Sequence, residues 1–143
     1  MEHSLDLKTL NVLIVEDTSL MRAMHRKNLA ELGFSKDNLY EAENGQLALG
    51  VLNQIYQAKK KVDLIICDWD MPVLSGLEFL KKLRTIEITK KVMFVMVTGH
   101  DKKEDYAQLA QYGVNGIVIK PFKAELYNKK IIEVVTKIMM SNI

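Results

Sequence analysis

The stretch LIICDWDMPVLSGLEFL, residues 64–80, carries the clearest indication of the fold. Its first residues belong to an apolar run, Val62 to Cys67, that is short and apolar on both faces, as is typical of a strand in a parallel sheet covered by helices. An acidic turn, Asp68-Trp69-Asp70, follows, and the apolar residues from Phe79 to Leu83 then recur at spacings of three and four. This order of strand, turn and helix predicts one unit of an α/β fold.

The same alternation extends over the rest of the chain. Further strands are predicted at Val12–Val15, Leu39–Ala42, Val92–Val97 and Gly116–Ile119, with amphipathic helical segments between the strands and after the last one. Crossovers of this kind are right-handed, so the chain should close into a doubly wound, flavodoxin-like sheet. The expected architecture is a five-stranded parallel sheet of order 2-1-3-4-5 with five helices.

Length and composition limit the function classes. The 143 residues are predicted to form a single domain over residues 1–143, with a core from about 10 to 140 and no separate output domain. The 20 basic and 18 acidic residues are spread along the chain, which argues against direct binding of nucleic acid or of an anionic membrane. The first six residues resemble no signal sequence and no apolar run approaches the roughly 20 residues that cross a bilayer. We therefore expect a cytoplasmic protein, monomeric or weakly dimeric.

Chemically active side chains follow four of the five predicted strands. Glu16 and Asp17 follow the first strand, Asp68 the third, Thr98 the fourth and Lys120 the fifth. In an open α/β sheet these positions converge at one edge, where ligands bind. Three carboxylates in one crevice repel each other unless a cation neutralises them or their pKa values rise. A hard, oxygen-ligated cation, Mg²⁺ or Mn²⁺, fits this set better than zinc, which would want His and Cys ligands.

The same edge offers groups for a phosphoryl ligand. A lysine ammonium and a threonine hydroxyl suit the equatorial oxygens of a phosphoryl group, and a carboxylate beside a metal can act as a nucleophile. The arrangement therefore predicts phosphoryl transfer to an aspartate.

Four separated motifs carry a family resemblance, in order and at matching spacing. They are VLIVEDTSLMR at 12–22, LIICDWDMPVLSGLEFL at 64–80, VMVTGH at 95–100 and GIVIKPF at 116–122. They resemble the receiver domains of response regulators in two-component signalling, in particular the CheY-like members. The similarity runs from about Leu10 to Lys137.

The resemblance implies roles at individual positions. Asp68 would be the phosphorylated residue and would bind the metal together with Asp17, while Glu16 would reach it through water and Asp70 would supply its backbone carbonyl. It further implies that Thr98 would bond the phosphoryl oxygen, that Lys120 would hold phosphate and neutralise charge, and that the Lys120–Pro121 bond is cis. The donor would be a histidine kinase or a histidine phosphotransfer protein. Such a protein is a switch that acts on itself and not an enzyme with an external substrate.

Three positions bear on output and on the lifetime of the phosphorylated state. Ile117 stands where the family often has a Tyr or Phe that couples Thr98 to the surface of the fourth helix, fifth strand and fifth helix. The output partner therefore stays open between a motor, an enzyme, a kinase and a further relay step. Asp70 and His100, each two residues past a site residue, are expected to influence hydrolysis of the phosphoaspartate.

Several alternatives remain at this point. The Asp68-Trp69-Asp70 spacing also occurs in haloacid-dehalogenase-type phosphatases, although there it follows the first strand, and a receiver-like interaction module that is never phosphorylated is also conceivable. Trp69 is equally compatible with a partner anchor and with a half-exposed aromatic packed along the loop. His25 is interpreted as a partly buried structural histidine and not as a metal ligand. Cys67 is expected to be a buried, inert thiol.

Overall fold

A computed structural model describes residues 6–141 and contains the predicted sheet. The strands, all parallel, are β1 (Val12–Val15), β2 (Leu39–Ala42), β3 (Leu64–Asp68), β4 (Met93–Thr98) and β5 (Gly116–Ile119), arranged in the order β2-β1-β3-β4-β5. The doubly wound topology is thus confirmed. Residues 1–5, on which the expectation about a signal sequence rests, lie outside the described residues.

Five helices connect and follow the strands. They are α1 (Ser19–Leu32), α2 (Gly45–Gln57), α3 (Gly76–Thr85), α4 (Lys103–Gln111) and α5 (Ala124–Ser141), and two single 3₁₀ turns occupy Leu7–Thr9 and Lys36–Asn38. Side-chain oxygens of Thr18, Asn44 and Ser75 accept backbone N–H groups in the first turns of α1, α2 and α3, which fixes where these helices begin. Among the described residues, no helix is long and apolar enough to cross a membrane.

The core lies on both faces of the sheet because successive strand residues point to opposite sides. On one face, Val12, Ile14, Leu64 and Ile66 and their neighbours pack against α1 and α5; on the other, Leu13, Val15, Ile65 and Cys67 pack against α2, α3 and α4. Both sets are almost completely buried. This coverage explains why the central strands are apolar throughout.

The predicted bounds of two strands are shifted. The apolar pattern predicts strands from Val62 to Cys67 and from Val92 to Val97, but β3 begins at Leu64 and β4 at Met93. Val62 and Val92 precede the first paired residues of their strands. Both are nevertheless buried, because side-chain burial extends beyond the paired residues. Both strands run one residue further than predicted, so that Asp68 and Thr98 are the last residues of their strands and not the first residues after them.

His25 is a buried structural residue, as expected. Its Nδ1 lies 2.7 Å from the hydroxyl of Tyr127, which joins α1 to α5. Burial and, to a lesser extent, the charge of Lys120 lower the pKa of His25 to about 4. The residue is therefore neutral at physiological pH.

Val73, in the loop between β3 and α3, has a left-handed backbone conformation with φ +71°. The backbone N–H of Leu74 donates to the carbonyl of Pro72 at 2.8 Å, so Val73 is the central residue of a γ-turn with positive φ, a strained form. Val73 is 81% exposed, so its side chain gains little from packing. The turn therefore strains the backbone of a β-branched residue, and side-chain packing does not offset this strain.

We expect Val73→Asn to raise the free energy of unfolding by about 1 kcal/mol, because asparagine tolerates the left-handed region. Urea unfolding measures the change. Val73→Ala is the control: it keeps a Cβ, the source of the steric cost, and should gain less than Val73→Asn. An asparagine variant no more stable than wild type would contradict the assignment of strain to this turn.

Candidate functional site

Three carboxylates meet at the carboxyl-terminal edge of the sheet. Glu16 and Asp17 follow β1 and Asp68 ends β3, and each offers an oxygen atom within 4.8 Å of those of the other two. Glu16 and Asp68 are buried, whereas Asp17 is exposed. The cluster is therefore open to solvent on the side of Asp17.

Lys120 reaches into this cluster from the end of β5. Its Nζ lies 3.0 Å from Oδ1 of Asp68 and 3.7 Å from Oε1 of Glu16. The bond between Lys120 and Pro121 is cis, in agreement with the resemblance. The ammonium group thus offsets part of the negative charge of the two buried carboxylates.

Thr98 is fully buried at the end of β4, the strand next to β3. Its Oγ1 accepts a hydrogen bond from the backbone N–H of His100 at 2.9 Å. A hydroxyl that accepts in this way keeps its own proton to donate. Thr98 therefore lies at the end of the strand next to Asp68, and its hydroxyl can donate a hydrogen bond to an oxygen atom of a ligand.

The pKa of Glu16 is raised from 4.5 to about 8. Burial is the largest cause, the charge of Asp68 adds to it, and the charge of Lys120 opposes it. Lys120 lowers the pKa of Glu16 less than burial and the like charge of Asp68 raise it, because the ammonium lies nearer to Asp68. At neutral pH the cluster therefore retains a proton unless another cation replaces it.

This donor set fits a hard divalent cation. All three members of the cluster are carboxylates, the ligands that Mg²⁺ and Mn²⁺ prefer. Cys67, the only cysteine, is buried in the core, where burial raises the pKa of its thiol well above the usual range. These observations agree with the prediction that Cys67 is a buried, inert thiol.

The loop after Asp68 is held by backbone hydrogen bonds. The N–H of Trp69 donates to the carbonyl of Val97 at 3.2 Å, and the N–H of Gly76 donates to the carbonyl of Trp69 at 2.7 Å. A Cβ at Gly76 would lie 2.2 Å from the backbone oxygen of Asp68. The first turn of α3 therefore packs directly on the backbone that carries Asp68.

Trp69 is 8% exposed, which corrects the half-exposed interpretation of this residue. Its ring stacks on the imidazole of His100, with centroids 4.2 Å apart and an interplanar angle of 13°. The Asp70 side chain points to the same imidazole, with Oδ1 3.0 Å from Nε2. Asp70 and His100 are thus in direct contact. The sequence shows only that each lies two residues after a site residue.

Two residues near the site were not singled out from the sequence. Arg22, in α1, donates from Nη1 to the backbone carbonyl of Glu16 at 2.7 Å and pairs with Glu41 at 3.2 Å, which ties α1 and β2 to the end of β1. Asp105, in α4, lies 3.7 Å from Nδ1 of His100. Neither contact has a sequence signal, because each depends on how a loop turns back toward the helix that follows it.

Ile117 is partly buried in β5 and packs against the side of the sheet covered by α2, α3 and α4. The position expected to carry an aromatic switch thus holds an aliphatic side chain in the core of that face.

Comparison with known proteins agrees with this fold. Residues 12–132 match the response regulator receiver domain family. The chain is 37% identical over 124 residues to chemotaxis protein CheY-3 of Vibrio cholerae, covering 87% of this chain and 90% of that protein. It is also 37% identical over 122 residues to chemotaxis protein CheY of Pseudomonas aeruginosa, covering 85% and 93% of the two chains.

A solved structure of CheY4 from Vibrio cholerae superposes with a TM-score of 0.74 at 30% identity, covering 87% of this chain and 98% of that one. The receiver domain of a sensor histidine kinase from Pseudomonas aeruginosa, solved with a magnesium ion in its active-site cleft, has a TM-score of 0.73 at 22% identity, covering 89% and 98%, and shares the fold. The chain belongs to the response regulator receiver domain family and is homologous to CheY.

Proposed function

We propose that the chain is a phosphorylatable response regulator in which Asp68 accepts a phosphoryl group in a reaction that depends on Mg²⁺ or Mn²⁺. The observation that carries this proposal is the position of Asp68, within the three-carboxylate cluster and 3.0 Å from the ammonium of Lys120. A nucleophilic carboxylate, anionic partners for a cation and a positive charge for phosphoryl oxygens therefore lie together.

The proposed reaction transfers a phosphoryl group from a phosphohistidine. An oxygen of Asp68 forms a bond to phosphorus, the bond from phosphorus to the donor imidazole nitrogen breaks, and the electron pair of that bond stays on the imidazole. Lys120 and the hydroxyl of Thr98 would contact the phosphoryl oxygens, on which negative charge accumulates.

Asp17 and Asp68 would bind the divalent cation directly, Glu16 would reach it through a water molecule, and the backbone carbonyl of Asp70 would be a further ligand. When bound, the cation would neutralise negative charge on the carboxylates and on the phosphoryl oxygens. The Asp68 carboxylate and the phosphoryl group could then approach each other. The carboxylate donor set of this chain supports the proposal, and so does the magnesium in the receiver domain of similar fold.

The donor would be a histidine kinase or a histidine phosphotransfer protein, and the phosphorylated state would change the binding of an output protein. Two of the relatives are chemotaxis proteins by name. Because Ile117 replaces the aromatic residue expected for coupling, we do not extend a motor output to this chain. Its chemistry would be limited to phosphorylation and dephosphorylation of its own Asp68.

The test is the intact mass of the protein after incubation with acetyl phosphate, a small donor that makes the kinase unnecessary. We expect one phosphoryl group per chain with Mg²⁺ and none with excess chelator. Unmodified protein in the presence of both reagents would overturn the proposal and favour a receiver-like module that works without phosphorylation.

The phosphatase alternative receives no support from the geometry around Asp70. In that mechanism the second aspartate of the Asp-x-Asp pair is a general acid, yet the Asp70 side chain is 72% exposed and is paired with His100. Turnover of small phosphate esters measures this directly, and we expect none beyond the slow hydrolysis of the protein's own phosphoaspartate.

We predict that the affinity for Mg²⁺ rises roughly tenfold or more between about pH 6 and pH 9, because Glu16 must lose its proton before the cluster carries its full charge. Glu16→Gln is neutral at every pH, so its affinity should be lower at pH 9 and depend much less on pH. The emission of Trp69, the only tryptophan, can follow the titration. Glu31→Gln, at an exposed position of α1, is the matched control. Parallel pH profiles for Glu16→Gln and wild type would refute this role of Glu16.

A further inference from the structure

We propose that Asp105 is a positioning residue: it holds the imidazole of His100 over Trp69 at the rim of the phosphorylation site, and the ring held there slows hydrolysis of the phosphorylated Asp68. This inference rests on the proposed function, since it concerns the lifetime of the state that phosphorylation creates.

The first observation is the stack of His100 on Trp69. The two rings are 4.2 Å apart and nearly parallel, and Trp69 directly follows Asp68. Trp69 is 8% exposed, while the side chain of His100 is 34% exposed. The imidazole therefore lies on the outer side and covers an indole that adjoins the nucleophile.

The second observation is that both edges of the imidazole face carboxylates. Nε2 lies 3.0 Å from Asp70, and Nδ1 lies 3.7 Å from Oδ2 of Asp105. A cleft of about 490 Å³ beside the ring is lined by these three residues together with Gly99, Asp101 and Lys102. The Asp70 side chain is 72% exposed and that of Asp105 only 19%, so Asp105 is the more buried of the two partners.

The third observation connects Asp105 to the start of α4. Its Oδ2 accepts from the backbone N–H of Lys102 at 3.4 Å, the residue that precedes the helix. The backbone N–H of His100 is fixed to Thr98 at 2.9 Å. The backbone that carries the imidazole is thus tied to Thr98, and the carboxylate beside the ring is tied to the start of α4.

The affected step is attack by water on the phosphoaspartate. The water oxygen forms a bond to phosphorus, the bond from phosphorus to the Asp68 oxygen breaks, and its electron pair stays on the carboxylate. The proton released by the water passes to solvent, and inorganic phosphate leaves. Attack needs a water molecule in line with the leaving oxygen. An ordered ring at the rim restricts the positions that such a water can take, so a loosened ring should allow faster hydrolysis.

The experiment compares Asp105→Asn with Glu104→Gln. Both positions lie in the first turn of α4 and both changes remove one negative charge, but Glu104 is exposed and its neighbour Asp105 faces His100. The asparagine keeps an oxygen that can accept from Lys102, so the start of the helix is retained. After phosphorylation with acetyl phosphate and removal of the donor, the decay of the phosphorylated mass is followed in Mg²⁺ buffer.

We expect decay about two- to fivefold faster in Asp105→Asn, the size expected for loss of a partly exposed polar contact, and an unchanged rate in Glu104→Gln. The effect should disappear when Asp105→Asn is introduced into a His100→Ala background, because the residue then has no ring to position. A general loosening of α4 would persist in that background. The emission of Trp69 should also shift toward longer wavelength in Asp105→Asn as water reaches the indole.

The outcomes separate the two hypotheses. If the wild-type protein is never phosphorylated, the proposed function falls and this inference falls with it. If every variant is phosphorylated but Asp105→Asn decays like wild type, or decays faster in the His100→Ala background as well, the positioning role is overturned while the proposed function stands.

Discussion

Replacement of Asp68 with asparagine should abolish the phosphoryl adduct formed with acetyl phosphate and Mg²⁺. An amide oxygen is a poor nucleophile, and no other carboxylate of the cluster has the ammonium of Lys120 at 3.0 Å. The expected loss is complete at the sensitivity of intact mass measurement, which corresponds to a rate reduction on the order of a thousandfold or more. The fold should survive, because Asn has nearly the same volume as Asp and replaces a charge that is costly to bury.

Asp70→Asn is the matched control for this experiment. It is the same chemical change two residues away, at a side chain that is exposed and paired with His100. We expect this variant to be phosphorylated with unchanged stoichiometry, although its hydrolysis rate should change several-fold. An adduct of wild-type stoichiometry on Asp68→Asn would show that the nucleophile is a different residue.

The second large effect is expected from Gly76→Ala. The new Cβ would lie 2.2 Å from the backbone oxygen of Asp68 and 2.9 Å from the Cα of Trp69. Backbone atoms cannot move aside as the end of a side chain can, so α3 or the end of β3 must shift. We expect the free energy of unfolding to fall by about 3 kcal/mol or more, measured by urea unfolding.

Gly50→Ala provides the comparison. Gly50 lies in α2, and a Cβ there would meet nothing within 4 Å. The same substitution should therefore raise the free energy of unfolding by about 0.5 to 1 kcal/mol, through lower backbone entropy of the unfolded chain. Equal effects at the two glycines would contradict the role of Gly76 as a contact point for the backbone of Asp68. Gly76→Ala protein that remains folded should also be phosphorylated more slowly, because the shift moves the nucleophile.

Much of the site could be predicted because two simple regularities combine. Short runs that are apolar on both faces indicate parallel strands, and the carboxyl ends of such strands meet at one edge of the sheet. Glu16, Asp17, Asp68, Thr98 and Lys120 each stand at or directly after the end of such a run, so their convergence follows from chain topology. An error of one residue in the ends of β3 and β4 did not disturb this result, because the edge is the same.

Contacts between loops depend on packing and had no comparable signal. Trp69, His100 and Asp105 come from the ends of different elements, and only the relative placement of β3, β4 and α4 brings the indole, the imidazole and the carboxylate together. Periodicity indicates which face of a helix is buried, but it does not indicate which loop side chains touch.

The sheet and the residue types gathered at its carboxyl-terminal edge could thus be predicted, because these depend on local apolar patterns and on the handedness of crossovers. Two features of the site depend on tertiary packing: burial raises the pKa of Glu16 to about 8, and the imidazole of His100 lies over Trp69. Both depend on distances and solvent exposure between residues far apart in the chain, which are set when the helices pack on the sheet.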